Sequence, residues 1–348
     1  MALIYDLVTA QNLKGFWDTR QEEALPTLGE KAFPAKKQLG LKLAFIKGAA
    51  GLPVVLRASA FDTEATLRER MNVTLNEEEM PFFKEAMVVK EQDRQQLNLI
   101  AQTGNQALTE TITKGIFDDT ARLLAGAKAR LEAMRMQVLA TGKIGIISNG
   151  VARDIDYGVP ESNKGKVTTA WSDPDANPLE DIANAIDKLA ETGAKAEVMI
   201  LNSKTFGEIK KAKSTLLAIK PLAPTGSSVT TRDLTDYLET EFGLKLAIEN
   251  GTYKDDDGKT KKFYPDGHMT LAPNGSLGNT VFGTTPEESD LMGGNTEASK
   301  VSIVETGIAV TTIKHADPVN VETKVSMIAL PSFERLEEVY MLTTTPEL

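Results

Sequence analysis

Residues 248–284 read IENGTYKDDDGKTKKFYPDGHMTLAPNGSLGNTVFGT. The first half is a polar, lysine-rich segment whose aspartates and glycine at 255–258 predict a solvated turn. The second half, HMTLA at 268–272, is a short β-prone run held between two proline turns, PDG and PNG. Alone the stretch carries no chemistry. Its place decides the reading, because a helix and a strand precede it and a β-rich C-terminus follows.

Immediately upstream, helix and strand alternate. Asn177 followed by Pro178 predicts an N-cap with proline at the first helical position, Ile182, Ile186 and Leu189 supply the apolar stripe, and Gly193 ends that helix. VMIL at 198–201 reads as a buried strand, Asn202 or Ser203 as the next cap, and 233–242 with Gly243 as another helix before the strand 244–248. This alternation predicts an α/β domain. Downstream, 301–313, 324–330 and 338–342 are rich in β-branched and apolar residues and read as strands.

Farther upstream lies the clearest helix, over 117–140. Phe117, Leu124, Ala127, Leu131, Met134 and Val138 recur at three-, four- and seven-residue steps, Asp118 and Asp119 fall in the expected first turn, and Gly142 follows the end. It has the length of a spine. Residues 144–170 hold short strand pieces split by turns, consistent with a β-hairpin.

Residues 53–56 (PVVL) and 73–75 (VTL) predict two strands of a long hairpin whose middle, 57–70, mixes Arg57, Arg68 and Arg70 with Asp62, Glu64 and Glu69. A two-stranded ribbon is marginal alone in water, so a neighbouring subunit is the simplest support, with mixed charges setting register between copies. Residues 1–45 are interrupted by Gly15, Pro26, Gly29, Pro34 and Gly40 and read as an arm that buries little surface by itself.

Composition narrows the function. The 348 residues are 41% hydrophobic and 25% charged, enough for one large core or two modest ones and too apolar for wholesale disorder. With 49 acidic against 39 basic residues the net charge is −10, the wrong sign for a protein that grips phosphates. There is no cysteine, which excludes disulfides, thiolate metal sites and cysteine nucleophiles. The first residues lack a signal-peptide pattern, and no apolar run of ~18 residues offers a membrane span.

Little in the sequence points to catalysis. His268 and His315 are the only histidines and have no partner at metal-ligand spacing. The Asp255–Asp257 run resembles a calcium loop, yet placing Gly258 at loop position six puts Tyr253 and Tyr264 where acidic ligands are required. The Gly-Lys pairs at 165–166 and 258–259 lack the earlier glycine of a phosphate cradle, no G-x-S-x-G elbow occurs, and the matches to the glycosylation pattern at Asn72, Asn250 and Asn274 are chance ones. A carboxylate-dependent hydrolase using Asp233, Asp236 or Glu239 is the rival of a different class. Helical spacing sets Asp233 and Asp236 on one face, as surface helices do routinely.

The order of arm, long hairpin, spine helix, α/β domain and β-rich return resembles the major capsid proteins of tailed phages. The nearest family is that of phage lambda capsid protein E. The residues carrying the resemblance are GLPVV (51–55), LEAMRMQVLATGK (131–143), FYPDGHMTL (263–271) and VSMIALP (325–331). It implies an α+β chain with the Hong Kong 97-type capsid fold: an N-terminal arm (1–45), an E-loop hairpin (46–90), a P domain with the spine helix (91–178), an α/β A domain (179–318) and C-terminal strands returning to the P domain (319–348).

The resemblance also implies a role. The chain would be the major capsid protein of a tailed phage or prophage, assembling as a precursor into pentamers and hexamers of an icosahedral shell around double-stranded DNA, with no catalytic residue, cofactor or metal. Its partners would be copies of itself, a portal protein, a scaffolding protein and a decoration protein, with no membrane. Its locations would be the host cytoplasm during assembly and then the virion. Intersubunit contacts are expected at Arg57, Asp62, Glu64, Arg68, Glu69 and Arg70. Some relatives cross-link through an E-loop lysine, but 57–79 contains none and Lys84 lies only on the return strand. An encapsulin-type compartment is the alternative of similar fold.

Overall fold

The computed structural model describes residues 8–21, 26–47, 74–89, 106–148, 151–222, 227–296, 300–317 and 319–346, with single positions 91, 95 and 99. The chain divides into two compact units, each made of discontinuous stretches: Met1–Leu43, Glu77–Glu132 and Asn279–Ser332 in the first, Ala44–Asn76, Ala133–Gly278 and Phe333–Leu348 in the second.

The N-terminal segment is bound more closely than its broken pattern predicts. Helix α1 (Ala10–Gln21) buries Leu13 and Trp17, four residues apart on one face. A single turn, α2 (Leu28–Ala32), is opened by a capping box in which the Thr27 hydroxyl accepts from the Glu30 amide and the Glu30 carboxylate accepts from the Thr27 amide. Strand β1 (Ala35–Lys37) follows, and Phe33 and Leu43 on either side of it are fully buried. The expectation of an arm burying little surface is corrected. What orders it is pairing with residues about 245 positions away, which no local pattern records.

β2 (Lys42–Lys47) and β3 (Thr74–Glu79) form a two-stranded ribbon, and β4 (Phe82–Val89) continues from it after Met80 and Pro81. Of the two hairpin strands read from sequence, 53–56 lies outside the described residues, and Thr74 and Leu75 fall in β3. The ribbon's first described strand is β2, which the sequence reading divided between arm and hairpin.

The spine helix α3 (Gln106–Thr141) has 36 residues, ~54 Å at 1.5 Å per residue. It starts three turns before the expected residue 117. The extra segment, QALTETITKGI, is rich in threonine and contains a glycine, which lower helix propensity and hide its continuity. Asp118 and Asp119 therefore sit inside the helix and not in its first turn. Gly142 ends it at φ +70°, where a Cβ would also strike Val159 at 2.6 Å.

β5 (Lys143–Ser148) and β6 (Val151–Asp156) form the predicted hairpin, with Lys143 opposite Asp156. After β7 (Lys164–Lys166), α4 (Pro178–Glu191) starts with proline at the first position. Asn177 occupies the N-cap, but its side chain bonds Glu180 and caps no backbone amide. β8 (Val198–Leu201) leads to α5 (Ser203–Lys211), capped by Asn202, and then α6 (Lys213–Ile219). α7 (Thr231–Phe242) has a Thr230–Asp233 capping box and left-handed Gly243 at its end, and β9 (Lys245–Ile248) follows.

The opening stretch then resolves as its reading predicts. β10 (Thr252–Lys254) and β11 (Thr260–Lys262) flank the acidic turn, and β12 (His268–Ala272) lies between Pro265 and Pro273. β12 is the middle strand of the second unit's sheet, in the order β7, β17 (Tyr340–Thr343), β12, β8, β9. It runs antiparallel to both its neighbours, while β8 and β9 are parallel. Trp171, Ile182, Met199, Leu234, Met269 and Leu271 belong to the core of this unit.

In the first unit β13 (Gly278–Phe282) precedes α8 (Pro286–Met292), β14 (Val301–Val304), β15 (Ile308–Ala316) and the long β16 (Val319–Phe333). The sheet runs β1, β13, β16, β15, β14, with β4 also paired to β16. The single strand expected over 301–313 is broken at 305–307, where Glu305 adopts φ +52° and Gly307 lies where a Cβ would meet Phe282 at 2.7 Å. Among the described residues no helix is long and apolar enough to cross a membrane.

Candidate assembly surface

The six residues expected to meet a neighbour, Arg57, Asp62, Glu64, Arg68, Glu69 and Arg70, lie outside the described residues. The elements that would carry them are present. Just outside β2 and β3 the Met80 amide donates to the Leu41 carbonyl at 2.8 Å, and Met80 itself is buried. β4 then pairs antiparallel with β16 over eight residues, Phe82 opposite Ile328 and Val89 opposite Val321.

Residues 84–88 of β4 are exposed, although three apolar positions on this strand, Phe82, Met87 and Val88, show 43%, 39% and 47% of their surface. A strand so apolar and so poorly covered in a single copy is what an associating protein presents. Lys84 stands 5.8 Å from the centre of the Phe82 ring, and Arg130 at the same distance from that of Phe83.

Two carboxylates that the sequence reading missed fix the N-terminal segment. Glu132, 4% exposed on α3, accepts from the Thr27 hydroxyl at 2.7 Å and the Gly29 amide at 2.9 Å. A Cβ on residue 29 would sit 2.5 Å from that carboxylate and would push it off these bonds. Glu305 accepts from the Trp17 indole at 3.2 Å and pairs with Lys128 at 2.7 Å, while the same ammonium lies 5.5 Å from the Trp17 ring centre. Residues 131–136 are buried all round the helix, so periodicity could not mark Glu132 as different from a solvated acid.

The groups considered for chemistry have other employment. Asp233 completes the cap of α7 and pairs with Lys220 at 2.6 Å; the Lys220 ammonium and the Thr230 amide hold its carboxyl down to about 2. Asp236 pairs with Arg232 on the same exposed helix, where Glu239 is also exposed. The three form a helix surface with no converging geometry. Asp255 accepts from the Asp257 and Lys259 amides and pairs with Lys261, which lowers its pKa; it organises the turn between β10 and β11.

His268 Nδ1 lies 2.9 Å from the Asp266 carbonyl and His315 Nε2 lies 2.8 Å from Glu322. Among the described residues no three histidine or acidic side chains converge to hold a metal ion. Burial pushes Asp181 and Glu208 up, but the Trp171 indole donates to Asp181 at 2.8 Å, a core-bracing contact.

The family model for phage major capsid protein E matches residues 17–344. No curated protein matches the sequence. Among solved structures, the putative capsid protein of a prophage from E. coli CFT073 is similar at a TM-score of 0.61 and 16% identity, covering 97% of this chain and 99% of its own. A phage-related protein from Bordetella bronchiseptica RB50 is similar at a TM-score of 0.54 and 14% identity, with 96% of each chain covered.

Proposed function

Because the chain belongs to the phage major capsid protein E family and has the Hong Kong 97-type capsid fold, we propose that its copies close into pentamers and hexamers of an icosahedral shell around double-stranded DNA. That it is a major capsid protein of a phage or prophage, structural and not enzymatic, with its place in the virion, follows from the family itself. The match over 17–344, which spans nearly the whole chain, is the observation that carries the reading.

Several finer assignments belong to the same proposal. Residues 46–90 act as the E-loop, 91–178 with 319–348 as the P domain, 179–318 as the A domain and 1–45 as the arm. Arg57, Asp62, Glu64, Arg68, Glu69 and Arg70 contact the adjacent copy. Assembly takes place in the host cytoplasm with a scaffolding protein, a portal and a decoration protein. The exposed apolar strand β4 beside the ribbon supports association between copies, since a stable interface must desolvate apolar area.

Electron microscopy of the purified chain, with and without its neighbouring gene products, tests the reading. Closed shells are expected. Deleting residues 57–70 is expected to leave a folded subunit, judged by circular dichroism and thermal melting, that forms no closed particle. Normal shells from that deletion would overturn the E-loop assignment, and a parent chain that stays monomeric beside its assembly partners would overturn the shell reading.

A further inference from the structure

The edge of the first unit's sheet is capped in an unusual way. β1 is only three residues long and pairs in parallel with β13, Ala35 opposite Thr280 and Lys37 opposite Phe282. Around it the Thr280 amide donates to the Pro34 carbonyl at 2.8 Å, the Gln38 amide donates to the Phe282 carbonyl at 2.9 Å, and the Thr280 hydroxyl donates to the Phe33 carbonyl at 2.8 Å. At the far end the Lys37 ammonium binds the Gly283 carbonyl at 2.8 Å and pairs with the nearly buried Glu288. Lift this segment and β13 presents unpaired backbone donors and acceptors beside the buried ring of Phe282, the kind of edge that recruits a strand from another chain.

Three residues of strand pairing hold little by themselves, so the segment needs a second fastening. Glu132 supplies it from the spine helix: its buried carboxylate meets one backbone amide and one hydroxyl at the start of α2, and Gly29 is the residue that lets them approach. A buried carboxylate with charge-assisted bonds is costly to leave unpaired, which makes the fastening all-or-none.

We propose that residues 26–38 are a strap, closed within its own chain, that guards the β13 edge against a strand of a second copy, and that Glu132 is the positioning residue that locks it. The lock is a contact between two elements of one unit and does not depend on shell formation, so it is testable on the isolated chain. The occupant of an opened edge is the same segment of another copy, because the edge is already shaped for Phe33, for backbone running parallel, and for a lysine at the Lys37 position.

Hydrogen exchange on the full-length chain, parent against Glu132→Gln and Glu132→Ala, reads the lock. The amides of Gly29, Gln38 and Thr280 are expected to exchange roughly tenfold to a hundredfold faster in the variants, the alanine change exceeding the glutamine one. Amides of α3 between 120 and 131 report that the fold is retained. In parallel, a labelled peptide FPAKKQL, residues 33–39, is expected to bind the variants at least tenfold more tightly than the parent by fluorescence anisotropy. Unchanged exchange at those amides overturns the lock. Faster exchange without peptide binding overturns the guarded edge. Should Glu132→Ala fail to fold, the glutamine variant carries the same readouts, and Lys37→Ala, which loosens the far end only, is expected to speed exchange at Gln38 and to leave Gly29 unchanged.

Discussion

Asp233 shows how much a single side chain can be asked to do without doing chemistry. It accepts from the Thr230 amide, receives the Lys220 ammonium and lies in the first turn of α7, where the helix dipole favours a negative charge. Its folded-state value near 2 lies below the ordinary 3.8. The stabilisation is therefore complete above the ordinary value and is lost as the pH falls through about 2. Asp233→Asn is expected to flatten the acid limb of stability across that window and leave the neutral range with a smaller, pH-independent loss. Urea denaturation in steps of pH checks it. Spacing alone made Asp233 one of three candidate carboxylates of a hydrolase, whereas the partner that explains the residue, Lys220, lies at the end of the preceding helix.

At the scale of elements, the spine helix needs its last carbonyls satisfied, since the final turn has no amide ahead of it. The Leu139 carbonyl accepts from the Thr270 hydroxyl at 2.7 Å, and that hydroxyl lies 2.7 Å from the Tyr264 hydroxyl; Thr270 and Tyr264 are both fully buried. Burial raises the Tyr264 pKa, so it stays a neutral partner. Thr270 thus fastens the helix end to the middle strand of the second sheet. Thr270→Val strands two buried polar groups and is expected to cost about 1–3 kcal/mol, against ~1 kcal/mol for Tyr264→Phe. Equal losses in chemical denaturation would show that Thr270 is not the shared partner.

Such fastenings mark the limit of what the chain's letters disclose. The HMTLA strand, the Gly243 and Gly142 stops and the helices after Pro178 and Thr230 were legible because turn residues and apolar periodicity are local signals. The docking of Trp17 and Phe33 was not, because the groups that fix them, Glu305 and Thr280, are more than 240 residues distant. For the expected intersubunit residues 57–70, legibility is a matter of mixed charge alone, and the described residues do not include them.

For the molecule as a whole, the charge of −10 sets what a container can do with its contents. Non-specific duplex binding relies on lysine and arginine displacing counterions. A retardation assay with a 30-base-pair duplex at ~150 mM salt is expected to show no complex at protein concentrations below roughly 100 µM, the weak end of the non-specific range. A tight, steeply salt-dependent complex would mean that basic groups are segregated on one face strongly enough to defeat the net sign.

The interleaved layout of the two units has a consequence for synthesis. The first unit draws on three stretches far apart in sequence, and β16, flanked by β13, β4 and β15, follows every other strand of its sheet in the chain. A polypeptide cut short before residue 319 lacks the strand around which that sheet is organised. Chains truncated there leave β13, β4 and β15 without their common partner and are expected to fail at folding, before any association between copies.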